Sequence, residues 1–142
     1  MILWRISESA ELDGAGGLIV AGRWHSKGRR IVYAAESSAL AMLEVLVHLE
    51  VERLPAPFQL LKIEAPDART AEWDGGGVED EAVCRAWGDA WLQEGRTLLA
   101  RVPSGVAPGG FNWLINPAHP DAAAVKLLGA SRWPWDRRLF KA

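Results

Sequence analysis

Apolar residues in this chain fall into short runs separated by glycine, proline and charged clusters. Such runs, bounded by turn residues, predict strands. Strands are accordingly expected at Leu3 to Ile6, Ile31 to Ala34, Phe58 to Ile63 and Leu98 to Val102. Gly14 to Gly17 forms a turn ahead of a further apolar run, Leu18-Ile19-Val20, and Lys27-Gly28-Arg29-Arg30 is a polar turn. Ser131 to Phe140 reads as a terminal strand interrupted at Pro134, because proline cannot donate to a ladder.

Two longer stretches follow a helical period. Ala39 to Glu50 is apolar almost all round, as expected of a helix buried against a sheet on most sides, with Ser37 or Ser38 as its cap. Its exception is a stripe of Ser37, Ala41, Glu44 and His48, spaced to share one face. Val78 to Gln93 sets Val83, Ala86, Trp87, Ala90 and Trp91 at helical spacing, with acidic residues in the first turn and Gly95 at the end. Ala122 to Leu128 is a candidate short helix, Val106 to Gly110 a loop, and Asn112 to Pro120 carries two prolines. Strands outnumber helices and do not alternate with them regularly. The expected fold class is therefore α+β, a compact mixed sheet core flanked by a few helices, rather than a doubly wound sheet.

Composition narrows the setting. A chain of 142 residues with 49% hydrophobic and 24% charged residues has ordinary globular values, and one domain spanning 1–142 is expected. The lone Cys84 excludes an intramolecular disulfide, and the start lacks the features of a secretory signal. No stretch is apolar for long enough to span a bilayer, so the expected location is cytoplasmic, without membrane contact. The net charge of −2 gives no basis for direct nucleic-acid binding. Arginine is much commoner than lysine, which fits a phosphorylated ligand and equally fits a GC-rich genome. With no glycine-rich dinucleotide fingerprint or P-loop, any nucleotide site must be built another way. His25, His48 and His119 lack metal-ligand spacing, so no metal is expected; His25 and His48 read as surface groups and His119 as part of a rigid loop.

Four segments, in order, resemble the RES family, whose name records an Arg, a Glu and a Ser. They are Trp4-Arg5; the run from Ala21-Gly22-Arg23-Trp24 through Ile31-Val32-Tyr33-Ala34-Ala35-Glu36-Ser37 to Ala41-Met42-Leu43-Glu44; Val102-Pro103-Ser104; and Asn112-Trp113-Leu114-Ile115-Asn116-Pro117-Ala118-His119-Pro120, followed by Trp135-Asp136-Arg137-Arg138-Leu139. The departures are local. Where the family usually has Gly-Gly-Arg-Trp and then Asn-Ser-Pro-Gly, this chain has Ala21-Gly22-Arg23-Trp24 and His25-Ser26-Lys27-Gly28. The resemblance implies a fold similar to ADP-ribosyltransferase toxins, NAD⁺ as substrate with no other cofactor, and the role of toxin in a type II toxin–antitoxin pair. Its partner would be an Xre-type antitoxin in a hetero-oligomeric complex.

On that resemblance, cleavage at the nicotinamide–ribosyl bond, by phosphorolysis or hydrolysis, would deplete NAD⁺ and arrest growth. The reaction passes through an oxocarbenium-like state, and because nicotinamide departs neutral a single carboxylate suffices. Glu44 is the candidate. Arg5 and Arg23 would grip the diphosphate through paired charge-assisted bonds. Tyr33 would stack on the nicotinamide ring or bond a ribose hydroxyl, or else serve the core. Ser104, just after a strand, would hydrogen-bond substrate or simply form a turn, and no base is placed to make it a nucleophile. The eight tryptophans read as core and interface anchors. Two other functions stay open: ADP-ribosyl transfer to a specific host protein, and a non-catalytic module that binds a nucleotide or a partner.

Overall fold

The apolar runs assemble into one seven-stranded sheet in the order β4-β5-β6-β2-β1-β3-β7. The computed structural model describes residues 1–50 and 53–140. The strands are β1 Ile2–Ile6, β2 Val32–Ala35, β3 Phe58–Glu64, β4 Thr70–Glu72, β5 Leu99–Pro103, β6 Phe111–Ile115 and β7 Lys126–Trp133. All neighbours run antiparallel except β4 and β5, so the sheet is mixed, and with two α-helices among the described residues the fold is α+β as expected.

The central strands are buried on both faces. Leu99 and Ile115 join one apolar cluster with Leu3, Leu61 and Ile63, while their neighbours Ala100 and Leu114 join another with Trp24, Cys84 and Trp91. This alternation is the two-residue period of the strand dividing its side chains between two layers.

Helix α2, Glu81–Glu94, covers the second cluster. Asp80 caps it through Ala82 N–H and Val83 N–H, and Gly95 ends it with φ of 60°. The buried side is Cys84, Gly88 and Trp91, with Val83 and Ala90 exposed, so the expected face is rotated by about one position. Trp87 stacks edge-on against Trp24 and Trp73, with ring centroids 5.6 and 5.7 Å away. Most tryptophans are anchors of this kind, but Trp133 is exposed.

Helix α1 is Ser38–Leu46, capped by Ser37 Oγ accepting from Leu40 N–H. It is less enclosed than its apolar sequence predicts: Leu40 and Ala41 are buried, but Leu43 and Val47 reach solvent.

Three segments depart from the sequence reading or go beyond it. Leu18-Ile19-Val20 is no strand: a 3₁₀ turn covers Ala15–Leu18, and Ile19 is 70% exposed. The segment Asn112 to Pro120 contains a central strand, β6, held between β2 and β5. Where a short helix and then a strand from Ser131 were expected, Ala122–Ala124 is a 3₁₀ turn and β7 already begins at Lys126, ending before Pro134.

Candidate active site

Strands β1 and β2 are neighbours, yet their register is confined to Trp4 opposite Ala35. Beside that pair a side chain takes over from the ladder: Arg5 Nη1 donates to the Tyr33 carbonyl at 2.7 Å. A cleft of about 870 Å³ opens over this seam, at the upper end of the usual range for small-molecule sites. Its lining includes Arg5 from β1, Tyr33 from β2, Arg23 from the preceding loop, Glu44 and His48 from the α1 segment, and Asn112 from β6. The stripe read on α1 therefore does face a cavity, with Ala41, Glu44 and His48 all along it.

Glu44 is held on one oxygen. Ser104 Oγ donates to Oε1 at 2.7 Å and Asn112 Nδ2 donates to the same oxygen at 2.8 Å. Ser104 is itself fixed, because its Oγ accepts from Val106 N–H at 3.1 Å and Ala107 N–H at 3.0 Å in the turn after β5. Both donors to Glu44 are neutral, so they orient the carboxylate without cancelling its charge. Among the described residues Glu44 forms no ion pair, and no protein group bonds Oε2. One oxygen is thus clamped and the other is left to the cleft.

Tyr33 is fixed through its hydroxyl. Its oxygen accepts from Trp24 N–H at 3.1 Å and lies 2.7 Å from His25 Nδ1, while His25 Nε2 lies 2.9 Å from the Val20 carbonyl. A carbonyl can only accept, so Nε2 carries the proton, Nδ1 accepts, and the phenol donates. Burial drives the phenol well above the usual tyrosine range, with a partial opposing effect from the Trp24 bond, which keeps it protonated for that role. The ring, more than the hydroxyl, is what Tyr33 offers a ligand. His25 is accordingly buried at 3% exposure and not the surface group expected, whereas His48 is exposed.

Burial also pulls the Arg5 guanidinium below the ordinary arginine value, partly offset by Tyr33, yet far from any pH at which it would lose its charge. Arg23 is nearer the rim. Its Nη1 donates to the Val78 carbonyl and its Nη2 lies 3.5 Å from Glu81 Oε1.

All five residues singled out from sequence therefore meet here: Arg5, Arg23, Tyr33 and Glu44 line the cleft, and Ser104 stands behind Glu44. Sequence reasoning missed Asn112, Glu81 and Arg85. Asn112 lay within a motif already noted, but its role depends on the register that sets it beside Ala35 of β2 and Val102 of β5. Among the described residues, no cluster of three His, Cys, Asp or Glu side chains is arranged to hold a metal.

A family model described as the RES domain matches residues 2–137. The protein named Toxin Res from Pseudomonas putida is 46% identical, over 99% of this chain and 100% of its own length. The Prs ADP-ribosylating toxin of a Sphingobium species is 39% identical, over 97% of this chain and 96% of its own. Among solved structures, a chain of the M. tuberculosis MbcT–MbcA toxin–antitoxin complex matches with a TM-score of 0.74, covering 94% of this chain and 84% of that one. At 17% identity that match is a likeness of fold.

Proposed function

The chain belongs to the RES domain family, and from that footing we propose that it is the toxin of a bacterial toxin–antitoxin pair and cleaves NAD⁺ at the nicotinamide–ribosyl bond. The observation that carries this reading is the Glu44 carboxylate, clamped on one oxygen by Ser104 and Asn112 and open on the other to a cleft that also holds Arg5 and Arg23. The arginines bind the anionic diphosphate, which sets the ribose against Glu44. As the bond between C1′ and the ring nitrogen breaks, its electron pair returns to the pyridinium, and nicotinamide leaves neutral without a general acid. Positive charge moves onto the ribose carbon, where the Glu44 carboxylate stabilises it. Water or phosphate then attacks C1′. Tyr33 presents its ring to the nicotinamide, and Ser104 acts through the carboxylate it orients.

The transfer of ADP-ribose to a host protein is the second reading, favoured by the name of the Sphingobium relative. It shares every step up to the attack on C1′. A purely non-catalytic binder has no use for an unpaired carboxylate beside an anion-binding arginine pair.

Loss of NAD⁺ would harm the cell that makes this protein, so a neutralising partner is part of the proposal: an antitoxin of the Xre type, in a hetero-oligomeric complex formed in the cytoplasm. The fold neighbour comes from a complex of that general kind. The deciding experiment incubates the purified chain with NAD⁺, with and without phosphate, and identifies the products. Nicotinamide release with loss of NAD⁺ is expected. Stable NAD⁺ with folded, partner-free protein would overturn cleavage by water or phosphate, and labelling of an added protein would then make transfer the activity.

A further inference from the structure

The cleft has a second rim arginine that the sequence did not single out. Arg85 of α2 lines it together with Arg23 and Glu81. Arg85 Nε donates to the Gly22 carbonyl at 3.2 Å, as Arg23 Nη1 does to the Val78 carbonyl. Each guanidinium is thus fixed in place by a neutral backbone acceptor, which orients it and leaves its charge uncompensated. Their remaining edges converge on one carboxylate. Glu81 Oε1 lies 3.5 Å from Arg23 Nη2, and Glu81 Oε2 lies 3.8 Å from Arg85 Nη2.

Two cations that a single carboxylate can reach at once repel each other, and one negative charge balances only one of them. The Glu81 side chain is 58% exposed, and both contacts are too long for good hydrogen bonds. Ion pairs of this exposed kind contribute little to stability. Glu81 therefore holds the pair loosely, and its side chain is free to turn outward into solvent.

We propose that Arg85 joins Arg23 and Arg5 in binding the diphosphate, forming its subsite at the rim side by side with Arg23, and that Glu81 is an internal stand-in which the diphosphate of the substrate displaces. This rests on the dinucleotide reading above. A diphosphate carries twice the charge of the carboxylate and offers more oxygens, which suits two guanidinium forks held side by side. Glu81 then acts on specificity as a weak competitor for the two arginines, one that a ligand of higher charge displaces more readily than a ligand of lower charge. A nucleoside without phosphate gains nothing from this pair.

The test uses ADP, which has the diphosphate and no nicotinamide bond to cleave, with adenosine as control. Binding is measured by calorimetry at low salt, alongside kcat and KM for NAD⁺. Glu81→Gln removes the competitor and is expected to tighten ADP about threefold to fivefold. Arg85→Gln is expected to weaken ADP on the order of tenfold or more, and Arg85→Lys to fall between, because it keeps the charge and loses the fork. Both effects should appear in KM for NAD⁺ more than in kcat, and adenosine binding should respond to none of the substitutions. ADP affinity indifferent to both Glu81→Gln and Arg85→Gln, or no ADP binding by the wild type, would overturn the subsite. ADP binding that responds as expected in a protein that leaves NAD⁺ intact would instead overturn the cleavage reading and keep the subsite.

Discussion

Glu44→Gln is expected to reduce NAD⁺ cleavage by about 10² to 10³, the usual effect of removing one well-placed electrostatic stabiliser. The substitution suits this site because its consequences separate cleanly. The amide oxygen still accepts from Ser104 Oγ and Asn112 Nδ2, so the clamp that holds Oε1 survives. What changes is the charge facing the cleft. In the ground state the positive charge sits on nicotinamide, and in the transition state it has moved to the ribose carbon, so the carboxylate acts mainly on the second. Turnover should therefore fall while the melting temperature and ADP binding stay near wild type. Retention of more than about a tenth of the activity corresponds to a loss below ~1.4 kcal/mol and would remove Glu44 as the main stabiliser. Ser104→Ala gives the internal scale: it deletes one of two donors and leaves the charge, so its loss in kcat should be clearly the smaller.

How far the sequence reached depends on the distance over which each feature is decided. Strands β1, β2, β3 and β5 were legible because their apolar runs are buried whatever lies beside them. Strand β6 was not, since Asn112 and the nearby prolines carry a loop composition, and only pairing with β2 and β5 makes it a strand. Strand β7 lies at the sheet edge with all eight residues exposed, so it has no inward face to leave an alternating pattern. The candidate site divides in the same way. Glu44 could be placed because it shares a local helical stripe with Ala41 and His48 and stands at the glutamate of the RES resemblance. Its partner Asn112 is 68 residues away, and the bond between them could not be read from spacing. His25 was misplaced because a histidine in a polar turn looks exposed until Tyr33 and Val20 close around it.

Gly88→Ala should destabilise the protein, against what the helix alone would predict. Gly88 lies within α2, where alanine is favoured over glycine by about 1 kcal/mol on propensity. A methyl group there, however, would overlap the carbonyl oxygen of Trp24. That oxygen belongs to backbone locked by the Trp24 N–H bond to Tyr33 and by the Trp24–Trp73–Trp87 cluster, so it cannot turn aside as a side chain would. Overpacking of this sort costs about 3 kcal/mol at the upper end of its usual range, which outweighs the propensity gain. The net loss of roughly 2 kcal/mol should lower the melting midpoint by about 4 to 8 °C for a domain of this size. Gly129→Ala is the matched control: among the described residues nothing lies within 4 Å of its added methyl, and a shift within about 0.5 kcal/mol is expected. The same clash reaches the cleft, because Trp24 follows Arg23 directly in the chain. NAD⁺ cleavage by Gly88→Ala, measured well below its midpoint where the chain is still folded, should fall through a raised KM as Arg23 shifts. A Gly88→Ala protein that melts at or above the wild-type midpoint would mean that α2 does not press its backbone onto Trp24, and that the rim arginines are held in place by their carbonyl contacts alone.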